Sequence, residues 1–370
     1  MQFKSMNLSV FLAIGESFAD YKAKGQDTLI QDYLLKNYSR AFNKVYVFSY
    51  GNERFTLFKN VEILPNKWRI HRYLYWLFAP LLYKKYLKNC QVVRGLQLSG
   101  GLPALVCKYF WHKPYVVNYG YDYVNMAKVE GKQMQSLVYR IVSRLVLAGA
   151  AKIIITARYL KPQLRTYQIA SKLKWLPNGV NTQLFSPRQD VKLKQILFIG
   201  RLEKQKNLKQ LITAVSQIKF PGIELCFIGQ GSLRQELETL AQELGVNLRI
   251  LGTVEHTELP KCLNQASVFV LVSLIEGQPK VLLEAMSCGL PVIASQIPAH
   301  EEIISHNKNG ILSDINTQDI TQALRSVMTD PNLRQKLGKN ARQTIIKHYN
   351  MHDLNRQETI LLKQVATTYA

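Results

Sequence analysis

Residues 268–295 read VFVLVSLIEGQPKVLLEAMSCGLPVIAS. The apolar run 268–273 predicts a buried β-strand, and the stretch 280–288 predicts a helix because its apolar residues recur at helical spacing. Gly289 stands where a glycine commonly ends a helix, and Pro291 opens a second apolar strand. A strand, a helix and a further buried strand in this order predict a βαβ unit of a parallel sheet.

The same alternation of apolar strands and amphipathic helices extends outward from this unit over the whole chain. A length of 370 residues suits two domains of about 150–200 residues each. The pattern therefore predicts an α/β protein of two Rossmann-like domains that face each other across a cleft. We place the first domain at 1–180, the second at 181–345, and a C-terminal helix at 346–370 that could cross back to the first domain.

The polar segment from Pro177 to Lys194 is predicted to link the domains, because it is rich in turn residues. The individual strands are predicted at 8–14, 44–49, 115–119, 152–156, 195–199, 224–228, 247–251 and 292–295. Further helices are predicted at 26–37, 133–148 and 233–244, and one more follows Gly200 and ends at about 218.

Two glutamates, Glu276 and Glu284, flank the start of the helix predicted after Pro279. Proline suits the first turn of a helix, where its missing N–H costs nothing. Both carboxylates are expected at the carboxyl edge of the sheet, where such folds bind ligands. The N–H groups of the first turn suit a phosphate, and Glu284 could accept paired hydrogen bonds from ribose hydroxyls. One glutamate alone would favour simple stabilisation of the helix dipole, whereas the whole pattern favours ligand binding.

Two cations follow the strand predicted at 195–199. Arg201 comes directly after Gly200, and Lys206 lies five residues further on, before a helix. A guanidinium fork and a compact ammonium could together neutralise a departing diphosphate. The alternative is a pair of solvated surface cations, and the position at a strand end favours the functional interpretation. A third segment, Phe227-Ile-Gly229-Gln-Gly231, is explained as well by a packing turn as by a ligand.

These segments, in this order, resemble glycosyltransferase family 4, whose members have the GT-B fold, over most of residues 175–345. The resemblance includes Pro177-Asn178-Gly179-Val180, and the glutamate pair matches the family's paired glutamates. It implies transfer of a sugar, with retention at the anomeric carbon, from a UDP- or GDP-linked donor to a saccharide or lipid-linked acceptor. It further implies that Glu276 contacts the donor sugar, that Glu284 binds the ribose, and that both cations bind the diphosphate. The remaining donor contacts that it implies are Gly277 and the backbone of Lys280, Val281 and Leu282.

The first domain departs from the family pattern at two places. Gly15 and Gly25, of which Gly25 lies outside the residues that the structure describes, are the candidates for the glycine loop after the first strand, and Tyr119 stands near the place of a family histidine. Tyr119 or Asp122 could orient the acceptor. A turn built on Gly120, with satisfied polar groups, explains the same residues equally well.

The charge of the chain is uneven. The net charge is +23, and residues 1–180 hold 27 Lys and Arg against 8 Asp and Glu. Residues 67–85 combine cations with aromatic side chains, which suits an anionic membrane interface. The alternative is a core helix with basic flanks. The core helix is favoured for residues 74–82, and the membrane interface for the cations. The five scattered cysteines suit reduced thiols, so we expect a cytoplasmic protein. The basic aromatic segment suits a peripheral place on the cytoplasmic face of the membrane.

The sequence also predicts which ligands and partners the protein lacks. It contains no Asp-x-Asp motif and no metal-like histidine spacing, so we expect neither a metal nor any cofactor besides the donor substrate. No nucleic-acid motif accompanies the basic charge, and we expect no nucleic acid partner. Two other functions stay open: a nucleotide-sugar epimerase on the same fold, and a non-catalytic protein that binds membranes or partners.

Overall fold

A computed structural model describes the protein over residues 6–23, 29–53, 55–129, 131–188, 194–218 and 220–369. The chain forms two compact units. The first comprises Met1–Pro177 together with Asp353–Ala370, and the second comprises Asn178–His352.

The first unit is built on a seven-stranded sheet in which all neighbouring strands are parallel, in the order β3-β2-β1-β4-β5-β6-β7. The strands are β1 Asn7–Phe11, β2 Lys44–Phe48, β3 Val61–Leu64, β4 Val92–Gly95, β5 Tyr115–Tyr119, β6 Lys152–Ile155 and β7 Leu173–Trp175. The α-helices are α1 Phe18–Ala23, α2 Lys36–Ala41, α3 Arg72–Leu82, α4 Lys84–Lys88, α5 Gln97–Trp111, α6 Tyr123–Val129, α7 Gln133–Gly149 and α8 Lys161–Leu164.

The second unit is built on a six-stranded parallel sheet in the order β10-β9-β8-β11-β12-β13. Its strands are β8 Gln195–Ile199, β9 Glu224–Ile228, β10 Leu248–Ile250, β11 Val268–Leu271, β12 Val292–Ser295 and β13 Ile311–Ser313. Its α-helices are α9 Leu208–Ile218, α10 Arg234–Glu243, α11 Leu259–Gln265, α12 Lys280–Ser287, α13 Pro298–Glu301, α14 Thr317–Thr329 and α15 Pro331–His348, and α16 Met351–Thr368 follows.

Both sheets are covered by helices and bury their strands on both faces. β8, β11 and β12 are fully buried in one continuous core of the second unit. The first sheet packs one face against α3, α5 and α7, and the other against α1, α2 and α16. Two parallel sheets with helices on both faces confirm the predicted fold class.

Two segments of the second unit, near its first and last residues, pair side by side. The Val180 N–H donates to the Tyr349 carbonyl at 2.8 Å, and the Met351 N–H donates to the Val180 carbonyl at 3.0 Å. A Cβ on Gly179 would lie 2.6 Å from the Met351 Cα, so glycine permits this close pairing.

The structure corrects several expectations from the sequence. Pro279 lies at the cap position before α12 and not within its first turn. The predicted linker is in part core, because Phe185 is buried in the second unit, and residues 189–193 of it lie outside the described residues. The helix predicted at 26–37 is a π-helical segment at Leu29–Leu35 followed by α2, and its residues 26–28 lie outside the described ranges.

Candidate active site

The carboxyl ends of β8 and β11 adjoin at the point where the strand order of the second sheet reverses. From β8 the chain continues outward through β9 and β10, and from β11 it continues the other way through β12 and β13. In open parallel sheets this reversal leaves a crevice in which ligands bind. The loop after β8 carries Arg201 and Lys206, and the loop after β11 carries Glu276 and Gly277.

Lys206 and Glu276 form an ion pair between these two loops. The Lys206 ammonium contacts Oε1 of Glu276, and the same oxygen accepts a hydrogen bond from the Ser273 hydroxyl at 2.7 Å. The two charged side chains are only 12% and 9% exposed. Lys206 is therefore not a solvated surface cation, and two residues predicted to act separately hold each other in place.

Gln205 fixes the two loops to each other. Its side-chain amide donates to the Ile275 carbonyl at 2.6 Å, and its own carbonyl accepts from the Leu274 N–H at 2.8 Å. Arg201, in contrast, is exposed, with its guanidinium 3.4 Å from the Gln205 amide oxygen. Its fork is accessible to a ligand at the end of β8.

Glycines let the loops after β8 and β9 press together. A Cβ on Gly229 would lie 1.9 Å from the Gly200 carbonyl oxygen, and one on Gly231 would lie 2.3 Å from the Leu202 carbonyl oxygen. Close backbone approach thus accounts for both Gly229 and Gly231, which is the packing interpretation of that segment.

Glu284 lies one turn into α12 and pairs with a residue that the sequence did not single out. Its Oε1 is 2.8 Å from Nε2 of His256, and the Glu284 side chain is almost fully buried. The Phe185 ring packs edge-on against the His256 ring, with centroids 5.0 Å apart. The imidazole therefore orients the carboxylate proposed to bind ribose.

The start of α12 offers backbone groups to a ligand. Pro279, at the cap position, has no side-chain oxygen that could accept from the N–H groups of the first turn. Lys280 is exposed, Val281 is half-buried, and the Leu282 side chain belongs to the core. Any donor contact at Leu282 would therefore use its backbone.

His300 is a second histidine that the sequence did not indicate. It is fully buried, its Nδ1 is 2.8 Å from the Ser295 carbonyl oxygen, and its pKa is lowered by burial despite the nearby Glu276. Among the described residues, no group hydrogen-bonds to its Nε2. Because the Ser295 carbonyl can only accept, Nδ1 of the neutral imidazole carries the proton, and Nε2 is left as an acceptor.

The three acceptor-side residues predicted from the sequence lie in the first unit. Gly15 has φ +81°, and a Cβ there would lie 2.9 Å from Cδ of Arg72. Asp122 accepts from the Asn125 N–H at 3.1 Å and from its side-chain amide at 2.5 Å, so it stabilises the start of α6. Tyr119 is buried, and burial raises its pKa, so its hydroxyl stays protonated.

Residues 72–82 do not form a simple core helix. Tyr75, Ala79 and Pro80 of α3 are buried, but the rest of its apolar surface is not. The exposed side chains are Tyr73, Leu74, Leu77, Phe78, Leu81 and Leu82. The core-helix interpretation of 74–82 therefore fails for the outer face of α3.

Two kinds of feature are absent from the described residues. Over those ranges, no cluster of three or more His, Cys, Asp or Glu side chains is arranged to hold a metal ion. In the same part of the chain, no helix combines the length and apolarity needed to cross a membrane.

The fold and the site together define a class of protein. The structure is similar to sucrose-phosphate synthase from Thermosynechococcus elongatus, with a TM-score of 0.83 and 20% identity, over 98% of this chain and 100% of the other. This similarity identifies the fold as GT-B. Residues 180–344 match the family model of glycosyl transferases group 1.

Two relatives illustrate the extent of the sequence similarity. An uncharacterized glycosyltransferase of Methanocaldococcus jannaschii is 34% identical over 177 residues, which cover 47% of this chain and 45% of that protein. The UDP-Gal:alpha-D-GlcNAc-diphosphoundecaprenol alpha-1,3-galactosyltransferase of Escherichia coli is 31% identical over 199 residues, 49% of this chain and 51% of that one. The chain thus spans about half the length of the curated relatives it matches. Membership of family 4 in particular stays a prediction.

Proposed function

We propose that the protein is a retaining glycosyltransferase that moves a sugar from a UDP- or GDP-linked donor to a hydroxyl of a saccharide or lipid-linked acceptor. The observation that carries this proposal is the Lys206–Glu276 pair at the reversal point of the second sheet, within the segment of the group 1 family. Synthesis of a cell-surface polysaccharide or glycolipid is the proposed context.

In the proposed chemistry, each of the two loops stabilises one of the charges that develop as the donor bond breaks. Arg201 and Lys206 would neutralise the diphosphate as it leaves, and the N–H groups at the start of α12 would add their dipole. Glu276, held by Ser273, would position the sugar ring while positive charge develops at the anomeric carbon. Glu284 would accept from the ribose hydroxyls. No protein nucleophile is assigned.

Three observations support a lipid-linked acceptor at an anionic membrane surface. The relative from Escherichia coli carries a diphosphoundecaprenol acceptor in its name, and the first half of this chain is strongly basic. The exposed apolar face of α3 adds a surface that could insert into a membrane interface. A place at the cytoplasmic membrane face is therefore part of the proposal.

A screen of UDP- and GDP-linked sugars tests the proposed function. With its donor and a membrane extract as acceptor source, the protein should release a nucleoside diphosphate and form a glycoside with the donor's anomeric configuration. The Arg201→Ala/Lys206→Ala variant is the inactive control. An epimerised nucleotide sugar without nucleotide release would instead indicate an epimerase, and failure to bind or turn over any donor would leave a non-catalytic binding protein.

Metal independence is a separate part of the proposal. Side-chain cations and a helix start would supply the positive charge that a divalent ion supplies elsewhere. Turnover should therefore be unchanged in excess EDTA, measured as nucleotide release. A strong loss that magnesium or manganese restores would contradict this mechanism.

A further inference from the structure

A cavity of about 440 Å³ lies within the first unit, beyond the carboxyl ends of β5 and β6. Its wall is formed by α6, α7 and the helical turns that follow β6, and Tyr119 at the end of β5 contributes to it. The volume falls within the roughly 300–1,000 Å³ that is typical of small-molecule sites. Gly15 is not part of its lining.

The cavity is strongly cationic. Lys128, Arg140 and Arg144 line it, and over the described ranges none of the three has a carboxylate within 4.0 Å. Asp122 is the one acidic residue of the described lining, and Asn125 engages both of its oxygens. Arg140 and Arg144 are four residues apart on α7 and so lie on one face. Such a cluster fits an anion with several oxygens, such as a phosphate or diphosphate.

Polar groups beside the cations suit the hydroxyls of a sugar. The carboxamide oxygen of Gln163 is buried in the lining and has no hydrogen-bond partner in the described part of the chain. A buried acceptor without a donor is costly, and a ligand hydroxyl would satisfy it. The Tyr119 hydroxyl stays protonated, as its burial dictates, and could donate in return.

An exposed apolar stripe runs along α7 beside the two arginines. Leu137, Ile141 and Leu145 are 50%, 53% and 54% exposed, and helical spacing places them in one row. Arg140 and Arg144 each precede a member of this row by one position, so they lie on its flank. Helix α7 therefore offers an anion site and a hydrocarbon surface side by side.

We infer that this cavity binds the phosphate or diphosphate group of an amphiphilic acceptor, a lipid-linked saccharide whose hydrocarbon lies along the apolar stripe of α7. The inference rests on the proposed function and assigns its acceptor class. Lys128, Arg140 and Arg144 hold the anionic group, and Gln163 accepts from a hydroxyl of the attached sugar.

Calorimetry on the full chain tests the inference with two probes, farnesyl diphosphate and inorganic diphosphate. Farnesyl diphosphate should bind more tightly than inorganic diphosphate. The Arg140→Ala/Arg144→Ala variant should bind both probes more weakly, with affinity at least about tenfold lower for each lost contact. The control Arg40→Ala/Lys44→Ala removes two exposed cations elsewhere in the same unit and should bind both probes normally. Leu137→Ser/Ile141→Ser should lose only the advantage of the farnesyl chain.

The outcomes separate the inference from the proposed function. The inference is overturned if the protein binds neither probe, or if the arginine variant binds both probes as tightly as the control does. Equal affinity of the unmodified protein for the two probes overturns the lipid part of the inference. Arg140→Lys/Arg144→Lys, which keeps the charge, should retain most of the binding and so shows that the loss is electrostatic. Donor binding in the second unit is measured in parallel with UDP and GDP, and its failure would instead overturn the proposed glycosyl transfer.

Discussion

The Lys206–Glu276 pair has a structural role in addition to its proposed role in ligand binding. A buried ion pair contributes little net stability, but removal of one partner leaves the other charge buried and costs about 3–5 kcal/mol. Arg201, at the end of β8, is exposed and carries no such structural role. The two cations therefore differ in what their loss does.

We expect Arg201→Ala to weaken nucleoside diphosphate binding by about tenfold or more, because a charge-assisted contact to phosphate contributes about 1.5–3 kcal/mol. Its melting temperature should not change. Lys206→Ala should lower both affinity and melting temperature, and Lys204→Ala, an exposed cation in the same loop, is the control. Unchanged affinity of both the Arg201 and the Lys206 variants in calorimetry would contradict the diphosphate site.

The two glutamates should respond differently to loss of charge. Glu284→Gln keeps an oxygen that can pair with His256, so the protein should fold and bind the donor more weakly. Glu276→Gln should reduce turnover more than nucleotide affinity, because the charge is needed at the sugar. Steady-state kinetics with saturating donor distinguish the two, and normal turnover of Glu276→Gln would disprove its proposed role.

Single-residue predictions from sequence reach only as far as local motifs. The glutamate pair and the two cations could be found because each lies at a predicted strand or helix end. The contact between Lys206 and Glu276 joins residues 70 positions apart, and His256 reaches Glu284 across 28 positions. Local spacing holds no information about such contacts, so His256 and His300 were missed.

At the level of whole elements, the second unit was easier to predict than the first. β8, β9 and β12 end where the sequence predicts, because short buried runs are bounded by glycine or proline. β3, β4 and α5 were not predicted. Gly100, Gly101 and Pro103 break the helical signal of α5, yet Gly100 is there because a Cβ would lie 2.9 Å from the Phe11 carbonyl oxygen. Tertiary packing overrides local propensity at this helix.

The C-terminal helix α16 is anchored by a buried network. Glu358 accepts from Nε of Arg94 at 2.8 Å and from the Tyr38 hydroxyl at 2.8 Å. The Arg94 side chain is only 5% exposed, so it depends on this carboxylate for its charge balance.

We therefore expect Glu358→Ala to destabilise the first unit by about 3–5 kcal/mol, since it leaves the Arg94 guanidinium buried and unpaired. Gln357→Ala, an exposed neighbour on the same helix, should have no such effect. Urea unfolding followed by circular dichroism measures the difference. Equal stability of both variants would show that α16 is not held by this network.

At the level of the whole molecule, charge and apolar surface coincide in the first half of the chain. Residues 1–180 hold 27 Lys and Arg against 8 Asp and Glu, and α3 exposes an apolar face. The Lys67 ammonium lies 4.6 Å from the Trp68 ring centroid, so cation and aromatic side chain form one local unit. Such surfaces suit reversible attachment to an anionic membrane interface.

We expect the protein to sediment with anionic liposomes at low salt and to be released at high salt. Each cation near the surface contributes about 1 kcal/mol, and the attraction fades beyond a Debye length of about 8 Å in physiological salt. Simultaneous neutralisation of the five cations around α3 should reduce sedimentation but leave donor hydrolysis intact, because the proposed donor site lies in the other unit. The five are Lys67, Arg69, Arg72, Lys84 and Lys85. If the unmodified protein ignores anionic liposomes even at low salt, the membrane proposal fails, and the basic charge must serve an anionic acceptor glycan.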